Sequence, residues 1–153
     1  MRPQLCVPCV AVSIGLFLTT VPAMAEPKDE VAAATAQWRT VFAENDPDKM
    51  LALYAKDGVL WGTLSPTVRS DPAAVRAYFV DAFKALPNAK VAFGDQLIRV
   101  YGTTAVNTGY YTFSYSNDGE AKSLPARYSL TFVKDGDKWN IVDHHSSAMP
   151  PPR

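Results

Sequence analysis

The hydrophobic pattern of this chain changes its period at Ala89, and this change constrains the fold more than any other feature. Before Ala89, apolar residues recur at spacings of three and four, which is typical of amphipathic helices. After it, apolar and polar residues alternate, and β-branched and aromatic residues become frequent, which is typical of strands. Helices followed by consecutive strands predict an α+β domain, with N-terminal helices packed on a curved, mostly antiparallel sheet.

Three helical segments are predicted before Ala89. The first spans about residues 28–43 and has one apolar face. Asp46 and Asp71 each precede a proline, which predicts two further helix starts, because aspartate caps a helix N-terminus and proline is tolerated in the first turn. A short strand is predicted at residues 59–65, and Tyr54 is assigned to the second helix.

Four strands are predicted after Ala89, at about residues 90–101, 104–116, 122–134 and 138–147. The connections include two Asp-Gly pairs, at 118–119 and 135–136. Such pairs favour tight hairpins, because glycine accepts the positive φ that these turns need. The strands are therefore expected to form an antiparallel meander.

The first 25 residues have the pattern of an export signal. Arg2 is the only charged residue before Glu26, an apolar run covers residues 10–18, and the segment ends in a small-x-small motif. The run is shorter than the ~20 apolar residues of a membrane-spanning helix. We predict a signal peptide over residues 1–25 that is cleaved after Ala25, and a single periplasmic or secreted domain over residues 26–153 without stable membrane insertion. A short N-terminal anchor is the alternative.

Cysteine and charge usage exclude several classes of function for the mature chain. Cys6 and Cys9 both lie in the predicted signal peptide, so disulfides, thiol nucleophiles and cysteine-ligated metals are not expected in residues 26–153. Removing Arg2 leaves one basic residue fewer than the 15 basic and 15 acidic residues of the whole chain, and so a formal net charge of −1. No basic run is present, and nucleic acid is therefore not an expected partner. No cofactor is predicted.

The ending of the chain resembles that of a known family. The stretch "DGDKWNIVDHHSSAMP" is similar to the close of the association domain of calcium/calmodulin-dependent protein kinase II and its stand-alone bacterial homologues. The positions that carry this resemblance are Gly136, Trp139, Val142, His145, Ser147 and Pro150. The predicted order of elements over residues 30–150 resembles the nuclear transport factor 2-like superfamily, which includes SnoaL-like polyketide cyclases, ketosteroid isomerases and limonene epoxide hydrolases.

This resemblance implies a cone-shaped, cystatin-like fold with a pocket between the helices and the sheet. It does not imply one reaction, because the fold carries enzymes, binding modules and assembly domains. The kinase relatives bind small carboxylates through pocket arginines, and Ser146 stands where one of these arginines would fall. Arg127 is the candidate replacement, because a guanidinium beside a histidine can hold a carboxylate through two hydrogen bonds. A surface salt bridge is the alternative role of Arg127.

The only two histidines, His144 and His145, are adjacent in the segment "DHHSS". Neighbouring residues of a strand point to opposite faces, so one pocket or one metal cannot use both unless a bulge intervenes. Residues i and i+2 lie about 6–7 Å apart on a strand, which is poor geometry for a Ser-His-Asp triad. One histidine is therefore expected to line a polar pocket or to belong to a structural hydrogen-bond network or dimer face.

The predicted sheet has one aromatic face and one polar face. If Lys134 pairs with Asp137 in a two-residue hairpin, Phe132 pairs with Trp139 and Arg127 faces His144. Periodicity alone predicts that the aromatic face packs on the helices. The resemblance suggests that the polar face lines the pocket and that the aromatic face packs on a second subunit. We favour the second interpretation, in which a homodimer forms through the sheet.

The candidate ligand-binding residues follow from this interpretation; they are Arg127, His144, Ser146, Tyr110, Tyr54, Trp61, His145 and Arg69. Tyr54 and Trp61 are equally compatible with a core role, and Arg69 with a solvated loop. No metal ligands are predicted. Asp57, Asp95 and Asp143 are the carboxylates near strands that could act as a general base.

The predicted function is an exported domain that oligomerises and binds a small anionic or polar ligand in a polar pocket. The first alternative is a lyase, isomerase or hydrolase of the SnoaL-like type, with a pocket histidine or aspartate as general base. The second is a pure assembly module. No residue pattern establishes a reaction, so an enzyme is the less favoured of these hypotheses. The sequence alone does not name the ligand, the oligomer size or the histidine that faces the pocket.

Overall fold

The structure is a computed structural model that describes residues 25–151. The elements are listed here in chain order: α1 (Pro27–Phe42), α2 (Pro47–Leu51), β1 (Tyr54–Trp61), α3 (Pro72–Ala85), β2 (Lys90–Tyr101), β3 (Thr104–Asn117), β4 (Glu120–Asp135) and β5 (Lys138–Ala148). Residues 1–24 of the predicted signal peptide, which include Cys6 and Cys9, lie outside the described residues. Within the described range, no helix is long and apolar enough to cross a membrane.

The helices begin where the sequence predicts. The Asp46 carboxylate accepts hydrogen bonds from two backbone N–H groups of α2, and the Asp71 carboxylate accepts one from the first turn of α3. Both caps satisfy helix donors that have no intrahelical partner. The apolar face of α1 is buried through Val31, Thr35, Trp38 and Phe42.

The five strands form one sheet in the order β1-β5-β4-β3-β2. Strand β1 is parallel to β5, and all other neighbours are antiparallel. The predicted α+β class is confirmed. The predicted position of the first strand was wrong, because α2 already ends at Leu51 and Tyr54 is the first residue of β1. Tyr54 pairs with Ile141, and a register shift before Val59 hides the alternation that would identify the strand from the sequence.

The aromatic face of the sheet packs against the helices, and we call it the inner face. Tyr111, Phe113, Tyr128 and Phe132 are buried there with Trp38 of α1 and Phe79 of α3. The favoured assignment of this face to a second subunit was therefore wrong. Each aromatic side chain buries about 150–250 Å², so covering this face with helices stabilises the monomer itself. The polar face, opposite the helices, is the outer face.

The β4–β5 hairpin has a different register from the predicted one. Asp135 pairs with Lys138 around a turn in which Gly136 has a φ of 58°. Phe132 consequently pairs with Ile141 rather than with Trp139. A second shift follows between Ile141 and Asp143, which inserts Val142 as an extra residue. This bulge places Ile141 and His144 on the same, inner face.

Candidate functional site

A narrow cavity lies between the inner face of the sheet and helices α1 and α3. Its walls are mainly aromatic, from Trp38, Phe42, Tyr78, Phe79, Tyr111 and Phe113. Aliphatic side chains complete the walls, and Leu64 and Leu124 are among them. The free volume is about 20 Å³, room for about one water molecule. A larger guest therefore needs a side chain to move, and Leu64, which is 45% exposed on the segment after β1, is the accessible one.

His144 is the central polar group of this cavity. It is buried on β5, where Leu60 of β1 and Leu130 of β4 are its strand neighbours. The Tyr54 hydroxyl lies 2.7 Å from Nδ1, and the Tyr111 hydroxyl lies 3.4 Å from Nε2. Burial, with a smaller contribution from the charge of His145, lowers the pKa of His144 to about 3. The imidazole is therefore neutral at physiological pH.

Hydroxyl groups surround the other polar side of the cavity. Thr63 Oγ1 and Ser146 Oγ are in hydrogen-bond contact, which joins the segment after β1 to the end of β5. Backbone hydrogen bonds between Leu60 and Arg69 hold the two ends of that segment together. Burial raises the pKa of Tyr111, and the Ser146 hydroxyl partly opposes this shift. The cavity thus presents neutral hydroxyls beside a neutral imidazole.

A second buried polar cluster lies elsewhere on the inner face and is structural. The Asn107 amide donates to Thr35 Oγ1 and to Gln96 Oε1, both at 2.9 Å, and accepts from the Tyr128 hydroxyl at 3.2 Å. Thr35 Oγ1 in turn donates to the Val31 carbonyl. Every member of this cluster has a partner, so it ties α1 to the sheet and leaves no group to hold a ligand.

The predicted site residues separate into two groups in the structure. His144 and Ser146 line the cavity, and Tyr54 lies behind His144 as its hydrogen-bond partner. Arg69 lies next to the cavity, at a neighbouring hollow of about 140 Å³ that Leu64 and Tyr78 also line. The Arg69 guanidinium donates through Nε to the Ser65 hydroxyl at 3.1 Å.

The other predicted site residues lie on the outer face; they are Trp61, Tyr110, Arg127 and His145. Arg127 pairs with Ser147 and donates through Nε to its hydroxyl at 3.1 Å. The predicted juxtaposition of Arg127 with His144 was wrong, because the turn and the bulge shift the register of β5. Arg127 instead lines a shallow outer depression together with His145.

The candidate general bases do not line the cavity. Asp57 and Asp95 are exposed, and Asp143 pairs with Thr131 on the outer side of the bulge. Burial raises the pKa of Asp143, and the nearby His145 partly opposes this shift. Within residues 25–151, no group of three metal-ligating side chains is found.

Several cavity residues were not predicted as site residues. Trp38 carried a clear signal, because its helical spacing with Phe42 marks the inward face of α1, but that signal does not separate core from cavity. Tyr111 belongs to the aromatic face that was assigned to a partner subunit. Thr63 lies after β1 in an irregular segment, and no periodic pattern identifies it.

Residues 31–152 match the SnoaL-like domain family, and the chain belongs to that family. Among solved structures, it is similar to a protein from Xanthomonas campestris that is provisionally named as a calcium/calmodulin-dependent protein kinase II association domain. That similarity has 35% identity and a TM-score of 0.75, over 86% of this chain and 94% of the other. The resemblance inferred from the sequence is therefore confirmed.

Two more distant structures share the fold. The calcium/calmodulin-dependent protein kinase II hub of S. rosetta is 18% identical with a TM-score of 0.68, over 83% of this chain and 100% of the other. A provisionally named dehydratase of the nuclear transport factor 2-like family from Streptomyces avermitilis is 16% identical with a TM-score of 0.69, over 80% of this chain and 97% of the other. A comparison with curated proteins finds no significant match.

Proposed function

We propose that this chain is an exported domain that binds a small molecule in the cavity and assembles with copies of itself through the outer face. The observation that carries the ligand-binding part is the position of His144. A neutral, buried imidazole lies beside the hydroxyls of Thr63 and Ser146, and all three line one cavity whose other walls are mainly apolar. Apolar walls with a few converging polar groups are typical of small-molecule sites.

The lining favours a polar, uncharged ligand over an anionic one. No lysine or arginine side chain lines the cavity in the described part of the chain. Arg69 lies at the neighbouring hollow, which Asp81 also lines. An unpaired carboxylate that leaves water for an apolar cavity loses far more hydration energy than a neutral polar group does.

The outer face supports self-assembly. One row of paired residues crosses all five strands, from Trp61 through His145, Ser129 and Thr108 to Leu97. Trp61 and Leu97, at the ends of this row, are 48% and 68% exposed, and the neighbouring Tyr110 is 56% exposed. Large exposed apolar residues on one sheet face can mark an interface. The provisional name of the Xanthomonas campestris protein describes an association domain, which is consistent with this proposal.

The sharpest test is native mass spectrometry on the full chain, produced in a host that exports it and purified gently. Export predicts the mass of a chain that begins at Glu26. Assembly predicts a dimer or a larger oligomer at micromolar concentration, and a co-purified small mass would identify the ligand. A strictly monomeric protein would refute assembly. An oligomer without any extra mass, and without binding in a small-molecule screen, would favour the pure assembly module.

Two matched variants locate the interface. Leu97 and Leu64 are both exposed leucines, but Leu97 lies on the outer face and Leu64 lies beside the cavity. We expect Leu97→Asp to shift the protein to monomers, because a carboxylate is costly to bury in an interface. Leu64→Asp should leave the oligomer intact. The opposite pattern would place the interface at the cavity mouth.

A further inference from the structure

Resting on the ligand-binding function proposed above, we infer that the cavity takes an uncharged molecule with a hydrogen-bond acceptor, such as a ketone or an ester, and that the Nε2–H of His144 holds this acceptor. The inference concerns where the single ring proton of His144 resides. It follows from the hydrogen-bond partners of Tyr54 and His144.

The surroundings of the Tyr54 hydroxyl determine the tautomer of His144. The indole N–H of Trp38 has no hydrogen-bond partner among the described residues, and because it is a donor only it cannot accept the hydrogen of Tyr54. Burial raises the pKa of Tyr54, so its hydroxyl keeps its hydrogen at physiological pH. Nδ1 of His144 is the hydrogen-bond partner found for the Tyr54 hydroxyl among the described residues, so a hydrogen on Nδ1 would leave the Tyr54 hydrogen without an acceptor there. Tyr54 therefore donates to Nδ1 over 2.7 Å, and the ring proton is on Nε2.

The Nε2–H donor of His144 has only a weak hydrogen-bond partner among the described residues. Its neighbour is the Tyr111 hydroxyl oxygen at 3.4 Å, beyond the usual range of about 2.7–3.2 Å for an N–H···O hydrogen bond. The hydroxyls of Ser146 and Thr63 line the same cavity as Tyr111. A donor that has a weak partner and lines the cavity can gain a full hydrogen bond from an acceptor on a guest.

The same arrangement rejects charged guests. Trp38 packs edge-on against the His144 ring, with 5.5 Å between the ring centroids, and Tyr54 stacks beside it. Burial among these rings keeps the imidazole neutral, so His144 offers a hydrogen bond but no positive charge. A carboxylate would enter without a cation to compensate for its lost hydration.

The tautomer is tested first, without any ligand. Two-bond ¹H–¹⁵N correlation spectra of the ¹⁵N-labelled full chain distinguish a protonated ring nitrogen from an unprotonated one. We expect Nε2 of His144 to be protonated and Nδ1 to be unprotonated at about pH 7.5. His145→Gln identifies the His144 signals by removing the other histidine. Tyr54→Phe removes the donor to Nδ1 and should produce a mixture of tautomers.

The ligand class is tested with three probes of similar shape: acetophenone, α-methylstyrene and benzoate. Acetophenone carries a carbonyl acceptor, α-methylstyrene replaces it with a methylene group, and benzoate is charged. We expect acetophenone to bind about three- to tenfold more tightly than α-methylstyrene, and benzoate not to bind detectably. His144→Phe should remove the preference for acetophenone. Each titration is repeated in Leu64→Ala, which removes the exposed side chain at the cavity mouth and so eases the entry of a larger guest.

The outcomes separate this inference from the proposed function. A His144 ring protonated at Nδ1 overturns the inference even if all probes bind. The Nε2 tautomer with equal affinity for acetophenone and α-methylstyrene overturns the ligand class. Tighter binding of benzoate does the same and points to a hidden cation. If no probe binds even to Leu64→Ala, both the ligand-binding function and the ligand class are contradicted. The NMR result still determines the tautomer.

Discussion

Acidification from about pH 7.5 to about pH 5.0 should destabilise the folded protein by about 2 kcal/mol through His144 alone. Burial chiefly, and the charge of His145 secondarily, lower the pKa of His144 from 6.5 to about 3 in the folded chain. The unfolded chain therefore binds a proton first. The stabilising contribution of the neutral ring is complete above about pH 6.5 and is lost as the pH falls toward about 3. Each pH unit in that window is worth about 1.4 kcal/mol.

The measurement is urea unfolding at the two pH values and at one fixed protein concentration, because assembly also contributes to apparent stability. In His144→Gln, the change in the free energy of unfolding between the two pH values should be about 2 kcal/mol smaller than in wild type. The control is His145→Gln, which removes an exposed histidine from the outer face. This variant should keep most of the pH dependence of stability. Equal pH dependence in wild type and His144→Gln would refute the argument. If His144→Gln does not fold, an NMR titration of His144 in the wild type tests the same argument. A ring that titrates at about pH 6 would contradict its burial as a neutral group.

Three further predictions concern stability and use the same urea assay. Asp71→Ala should cost about 1 kcal/mol because α3 loses its cap; Asp57→Ala, at an exposed strand position, is the control, and equal effects would contradict the capping role. Phe79→Ala should cost about 3–5 kcal/mol because this ring is fully buried between α3 and the sheet; a loss below about 1 kcal/mol would mean that the cavity collapses to fill the space. Asn107→Leu should cost about 1–3 kcal/mol because the buried Tyr128 hydroxyl loses its acceptor, and an unchanged midpoint would show that this amide is dispensable.

Local sequence signals predicted most elements of this fold. The apolar spacing of α1, the capping aspartates of α2 and α3, and the alternation of β2 to β5 all depend on residues near one another in the chain. Strand β1 is different, because it exists through its parallel pairing with β5, far away in the sequence. Tyr54 looked helical from its neighbours alone, and only the contact with Ile141 makes it part of a strand.

For the two sheet faces, the local pattern predicted the structure better than the family resemblance did. Periodicity alone predicted that the aromatic face would meet the helices, and this prediction was correct. The resemblance led to the other choice, because related folds can carry a polar pocket on the inner face. In this chain the inner face is polar only locally, at His144 and Ser146 and at the Asn107 cluster. Burial of the large aromatic side chains, rather than the family resemblance, therefore predicts which sheet face packs on the helices.

The histidine that faces the cavity is decided by an irregularity that no local pattern predicts. Without the extra residue at Val142, Ile141 and His144 would point to opposite faces, and His145 would share the inner face with Ile141 in place of His144. A register shift in β1 lies next to it, between Tyr54 and Val59. The two irregularities accommodate each other across the parallel pair, so the position of His144 depends on both strands together.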